Sequence, residues 1–152
     1  MGNLLLQGCS NRKVDVEGEK AAIEVYDGYF YRIIDNADAL DSVSWDVVIL
    51  SAEHGLLDPH ETIRPYDREM TPSRATELND AVVPELARLI AEGAYERLWI
   101  NLGQTYRLAV DGIESEIDIP VEYLSGRLGN RGNQLKRLLT GSIDPATSIA
   151  ND

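Results

Sequence analysis

Trp45-Asp46-Val47-Val48-Ile49-Leu50-Ser51-Ala52-Glu53-His54-Gly55 is the stretch whose reading decides the fold. Val47 to Leu50 is a short, β-branched, uninterrupted apolar run. That is the pattern of a strand buried on both faces, as in a parallel sheet, rather than one alternating between core and solvent. The run stops abruptly at Ser51, and the segment beyond it holds Asp58-Pro59, His60-Glu61, Arg64-Pro65-Tyr66-Asp67 and Met70. Loops held by a rigid strand are where binding and catalytic groups concentrate, so this exit is the first place to look for chemistry.

Working outward, Asn3 to Gln7 is a second short apolar run, ended by Gly8-Cys9-Ser10-Asn11-Arg12-Lys13, and it reads as the first strand. Ile23, Tyr26, Phe30, Ile33 and Ile34 recur at helical spacing between Glu19 and Leu40, with Gly28 as a point where the helix divides. Thr71-Pro72 combines a hydroxyl cap with Pro at the first helical position. Ala75, Leu78, Val82, Leu86 and Leu89 then mark one face, and Gly93 supplies the stop. Pro84 is expected to kink or split that helix. Arg97 to Asn101 reads as a strand leading into a helix from Thr105 to Val110, and Pro120 to Leu124 as a further strand. Gly126 to Asn133 is a Gly- and Asn-rich loop before a short helix from Gln134 to Leu139. Strands alternating with helices predict an α/β fold: one three-layer domain over residues 1–140, with a mainly parallel sheet of about four strands flanked by helices. Residues 141–152 read as a frayed tail.

At 152 residues the chain is long enough to bury a core without staples, and its single Cys9 cannot form an internal disulfide. No window resembles a signal peptide or a membrane span, so a cytoplasmic protein with no membrane partner is expected. The net charge of -12 disfavours a broad electrostatic grip on phosphate backbones. An acidic, Lys-poor chain of this kind resembles proteins of salt-loving archaea and their viruses, where molar salt shortens the screening length to roughly 3 Å. An ordinary acidic bacterial protein is the alternative.

In an open parallel sheet ligands sit at the carboxyl ends of the strands. Cys9-Ser10, Ser51 to His54, Asn101 and Ser125 all fall at such ends. Ser51 and His54 invite a nucleophile and base pair, although nothing like Gly-x-Ser-x-Gly surrounds Ser51, and both residues serve equally well to fix the turn. Glu61 and Asp67 are the better general acid/base candidates, with bracing of the loop against Arg64 and Arg68 as the alternative. Cys9 beside Arg12 and Lys13 is either a buried, inert side chain or a reactive thiolate that would make the chain a redox sensor. Arg12-Lys13 is an adjacent basic pair suited to a phosphate or carboxylate, or else a solvated surface pair. His54, His60, Asp58 and Glu61 make a weak zinc signal, and neither a metal nor a cofactor is expected. Asn101-Leu102-Gly103-Gln104 places an amide and a Gly at a strand-to-helix turn suited to an anion or a base edge.

Tyr26-Asp27-Gly28, Ser51-Ala52-Glu53-His54-Gly55-Leu56-Leu57-Asp58-Pro59, Ile63-Arg64-Pro65-Tyr66-Asp67 and Met70, with Asn101-Leu102 and Tyr106 later, fall in the order of motifs in the YaaA (peroxide-stress, DUF328-type) family. The chain resembles that superfamily in scattered blocks. Its Cys9-Ser10-Asn11-Arg12-Lys13 opening is similar to a shorter, uncharacterised relative family of bacteria, archaea and phages, and to a Cys-Ser-x-x-Lys segment of archaeosine synthase. YaaA proteins are longer and are associated with DNA binding and protection from oxidative damage. What the resemblance implies for this chain is the pocket: Ser51, His54, Pro65, Tyr66, Asp67 and Asn101 stand at motif positions, with His54 where the family often has an aromatic residue.

These readings combine into one expectation, a protein handling a nucleobase or nucleotide, in base modification or N-glycosyl chemistry. Asp67 or Glu61 would be the acid/base group and Ser51 and Asn101 would orient the base. Arg12-Lys13 would hold phosphate, and Cys9, Ser10, Tyr66 and Gly103 would line the ligand. The alternative is a non-catalytic DNA-binding or oxidative-stress module in which the same loop is scaffold.

Overall fold

Every interior strand of a sheet must satisfy both of its backbone edges, and the apolar runs read above do so by pairing with each other. A computed structural model describes residues 2–8, 20–21, 29–36, 45–63 and 69–140. In chain order these form β1 (Asn3–Gly8), β2 (Lys20–Ala21), α1 (Tyr29–Asn36), β3 (Trp45–Ser51), β4 (Gly55–Leu57), β5 (Thr62–Ile63), α2 (Pro72–Gly93), β6 (Arg97–Asn101), α3 (Gln104–Arg107), β7 (Val121–Tyr123) and α4 (Leu128–Leu139). Short 3-10 turns lie at Leu108–Val110 and Ile113–Ser115.

The main sheet has five strands in the order β4-β3-β1-β6-β7. β1 lies between β3 and β6, parallel to both, with Leu5 opposite Val47 on one side and Trp99 on the other. β7 extends the parallel set, and β4 turns back antiparallel on β3. The fold is therefore a single α/β domain with a mostly parallel, mixed sheet and four helices. The expected four strands become five because Ser51 to Leu57, read as a loop, is a tight hairpin whose return strand covers the upper edge of β3. Gly55 (φ 74) makes that reversal in a backbone region that L side chains rarely adopt. A small antiparallel ladder joins β2 to β5.

Alternation along the strands divides the core into two layers. Leu4, Leu6, Val48, Leu50, Leu98 and Ile100 pack against Ala75, Leu78, Val82 and Leu86 of α2. Leu5, Val47 and Trp99 pack against Ile34 of α1 and Leu135 and Leu138 of α4. Trp99 is fully buried, and its indole N–H donates to Asn3 Oδ1 at 3.2 Å. Among the described residues no helix is long and apolar enough to cross a membrane.

Three elements differ from the sequence expectation. First, α2 runs unbroken through Pro84. Pro84 is exposed while Val82, Val83 and Leu86 are buried, so packing on the sheet holds the helix and the freed carbonyl faces water. Second, the segment read as a helix from Glu19 contains β2, and the described helix begins only at Tyr29, just past Gly28. Third, α4 begins at Leu128, inside the stretch read as loop. Gly132 is buried in α4, which packs against α1, so close contact between helices outweighs the low propensity of Gly129 and Gly132. The tail after Thr140 lies outside the described residues.

The start of α2 is as expected, with Thr71 Oγ1 accepting the Arg74 N–H at 3.1 Å. Its end is not. Gly93 is the last helical residue, and Ala94 takes the left-handed conformation (φ 51, ψ 45) that usually belongs to glycine. Gly93 is needed for another reason: a Cβ there would stand 2.3 Å from the Tyr95 ring, which is anchored through its hydroxyl to Asp46. Relief of the left-handed strain at Ala94, less the entropy that glycine loses on folding, predicts that Ala94→Gly stabilises the domain by about 0.5–1 kcal/mol. Gly93→Ala should destabilise it, and urea unfolding of the two variants checks both signs.

Candidate functional site

Connections leaving β1 and β6 run to opposite faces of the sheet, since β1 leads toward α1 on one face and β6 into α3 beside α2 on the other. Chain order reverses between these two neighbouring strands, which makes their carboxyl ends the switch point where open α/β sheets leave a crevice. Gln7 and Asn101 flank it as register partners. Both are almost fully buried, at 2% and 1% exposure.

A buried amide is costly unless each polar atom is paired, and here the pairs form a chain. Asn101 Nδ2 donates to Gln7 Oε1 at 2.8 Å, and Gln7 Nε2 donates to the Gly8 carbonyl at 3.3 Å. The same carbonyl accepts the Tyr31 hydroxyl at 2.7 Å. At the other end the Arg131 guanidinium donates to Asn101 Oδ1 at 3.2 Å and lies 5.1 Å from the centre of the Phe30 ring. Arg107 stands beside it, donating to the carbonyls of Leu102 at 3.2 Å and Leu124 at 3.0 Å, with its guanidinium 5.0 Å from the Tyr123 ring centre. Burial, and then the charge of Arg107, hold the Arg131 guanidinium below its ordinary pKa. Gly8 ends β1 against the β6 exit, where a Cβ would meet Leu102 Cδ2 at 3.2 Å.

Ser51 ends β3 on the same face as Gln7 and Asn101, two strands over from Asn101 and two residues further along, a separation of roughly 12 Å at the usual strand spacing and rise. It is fully buried, and its Oγ accepts the backbone N–H groups of Glu53 (3.2 Å) and His54 (3.1 Å). Ser51 and His54 are thus joined through the turn's backbone. Arg74 of α2 clamps the same turn, donating to the carbonyls of Ala52 at 2.8 Å and Glu53 at 2.9 Å.

Other sequence candidates fall elsewhere. Glu61 is exposed and lines a hollow of about 340 Å³ with Asp46, Asp58, His60, Glu85 and Tyr95, beside the start of β3 rather than its end. Gly103 precedes a helix of only four residues, too short to hold an anion by its dipole, and a Cβ there would meet nothing within 4 Å. With Met70, Gln104, Thr105 and Tyr106 it lines a second hollow of about 380 Å³ at the β6 exit. Cys9, Ser10, Arg12, Lys13, Tyr66 and Asp67 lie outside the described residues. Among the described residues no group of three or more His, Cys, Asp or Glu is placed to hold a metal.

Gln7, Arg107 and Arg131 were not singled out from the sequence. Gln7 had a legible signal, as the lone amide ending the apolar run Leu4-Leu5-Leu6. Neither arginine did, because each acquires its meaning only when β6, β7 and α4 come together.

The profile of a family of unknown function, DUF6884, matches residues 4–138. The chain belongs to this DUF6884 family. No curated protein matches it. Among solved structures it is similar to AF0587, a protein of unknown function, with a TM-score of 0.56 and 17% identity over 97% of this chain. The chain spans 46% of AF0587's length, and at that identity the likeness carries the fold alone. Membership in DUF6884 leaves the chemistry to be argued from the site.

Asn101→Ala strands the buried Gln7 Oε1 and removes the acceptor of Arg131, so stability in urea should fall by about 1–3 kcal/mol. Gln7→Leu combined with Asn101→Leu should lose less than the sum of the single changes, because both partners leave together. Burial, and then its hydrogen bond to Glu114, push the Tyr123 hydroxyl up to about 12 from 10.0. The folded state therefore holds this proton longer than the unfolded chain does. Its contribution is complete below about pH 10 and is lost as pH rises through 12. Urea unfolding at pH 9 and at pH 11.5 should show a smaller alkaline loss in Tyr123→Phe than in the wild type.

Proposed function

We propose that this chain handles a nucleobase or nucleotide in the crevice between the ends of β1 and β6. Base modification or N-glycosyl chemistry is the reaction class, and the cytoplasm is the place of action. The observation that carries this reading is the hydrogen-bonded chain at the switch point, in which the buried amides of Gln7 and Asn101 lead to the partly buried Arg131. Apolar residues of similar volume would fill such a strand end at lower desolvation cost, so the amides and the guanidinium favour a ligand that must be oriented by hydrogen bonds. Asn101 is engaged on both sides, which suits it to hold Arg131 and the strand ends in place. Tyr66 and Asp67, the candidates for base contact and acid/base work, rest on the sequence motif alone. The resemblance to the YaaA superfamily supports the same pocket.

Calorimetric titration of a panel of nucleosides and nucleoside monophosphates tests the reading. At least one should bind the wild type with a Kd between micromolar and millimolar. Asp67→Asn and Asn101→Ala, checked for folding by circular dichroism, should weaken that binding at least tenfold. If both variants bind as the wild type does, or if no member of the panel binds, the reading is wrong.

A further inference from the structure

Arg74, Arg88 and Arg97 each pair with a carboxylate. Among the described residues four arginines are partly buried: Arg74, Arg97, Arg107 and Arg131. Arg74 pairs with Glu77 at 3.2 Å and Arg97 with Glu122 at 2.8 Å. Arg107 and Arg131 have no carboxylate within ion-pair distance among the described residues, although the chain holds 26 Asp and Glu against 14 Lys and Arg. The nearby Glu114 is instead engaged by the Tyr123 hydroxyl.

The two unpaired cations also converge. Arg131 reaches Asn101 at the end of β6, while Arg107 reaches Leu102, the next residue, and Leu124 just past β7. Leu124 in turn donates to the Ile100 carbonyl at 2.9 Å, so all these anchor points lie within about one strand spacing. An aromatic ring backs each guanidinium, Tyr123 for Arg107 and Phe30 for Arg131, which fixes its plane. Of the five N–H donors on a guanidinium, Arg131 spends one on the protein and Arg107 two. If these side chains served only to tie β6, β7 and α4 together, neutral donors would do so without setting two positive charges against each other in a partly desolvated place.

We propose that Arg107 and Arg131 form a phosphate subsite, so that the ligand of the strand-end crevice is a phosphorylated nucleotide rather than a free base or nucleoside. The nucleotide part rests on the proposed function above; the phosphate grip does not. A phosphate monoester carries about -1.5 to -2 at neutral pH and three acceptor oxygens, which matches two forked cations. A monocarboxylate offers half that charge. Arg12-Lys13, the basic pair visible in the sequence, is not required for this grip.

Inorganic pyrophosphate is the first probe, used at low ionic strength with acetate as the carboxylate comparison. In wild-type protein it should protect Arg107 and Arg131 from phenylglyoxal, read by peptide mass mapping, and leave the exposed Arg127 and Arg137 open to modification; acetate should protect neither. By calorimetry, Arg131→Gln should weaken pyrophosphate at least tenfold, and the wild type should bind a nucleoside monophosphate at least tenfold tighter than its nucleoside. If Arg131→Gln fails to fold, the protection pattern in the wild type decides. Absent or indiscriminate protection, or a folded Arg131→Gln that binds pyrophosphate unchanged, overturns the subsite. Pyrophosphate binding with no affinity for any nucleoside or nucleotide leaves the subsite standing and removes the nucleotide reading. Nucleosides binding as tightly as nucleotides, without pyrophosphate protection, does the reverse.

Discussion

The register of β1 against its two parallel neighbours fixes where every polar group at the strand ends falls. β1 has both edges paired and both faces covered, so a slip of one residue would drive Gln7 into one core layer and Leu6 into the other. The apolar residues Leu4, Leu5 and Leu6 make that slip costly. Holding them in place leaves Gln7 opposite Asn101, where their amides satisfy each other, and leaves Ser51 facing the same side one strand away. The placement of these polar groups at the strand ends is thus a consequence of core packing before it is anything else.

Charge takes its meaning from that frame. The chain is strongly acidic, and Arg74 and Arg88 on α2 and Arg97 on β6 pair with carboxylates. Arg107 and Arg131 are drawn instead to carbonyl and amide oxygens at the exits of β6 and β7. Backbone acceptors orient a guanidinium without neutralising it. The result is a localised positive site on a molecule whose overall charge repels anions, an arrangement that favours a small, specific anion over a long phosphate backbone.

The hairpin after β3 plays a different part from the one its composition suggests. Ser51, Glu53 and His54 look chemically rich in sequence, yet Ser51 Oγ accepts two N–H groups of the turn and Arg74 donates to two of its carbonyls. Polar residues were needed there because the strand ends buried, and its turn must satisfy donors and acceptors that water does not reach. Motif-like density at this point reflects turn construction at least as much as chemistry.

Read alone, the sequence determined the alternation of strands and helices, the cap of α2 at Thr71 and the two-faced burial of β1 and β3. All of these follow from local periodicity and from short-range backbone chemistry, which a single segment carries with it. Tertiary structure alone decided the antiparallel return of β4, the unbroken course of α2 through Pro84, and the early start of α4 across Gly129 and Gly132. It alone decided, too, that the buried amides of Gln7 and Asn101 join the partly buried Arg131 in one hydrogen-bonded chain with Arg107 beside it. Those outcomes depend on contacts between segments that lie far apart in the chain, and the energy of such contacts is written in no one of them.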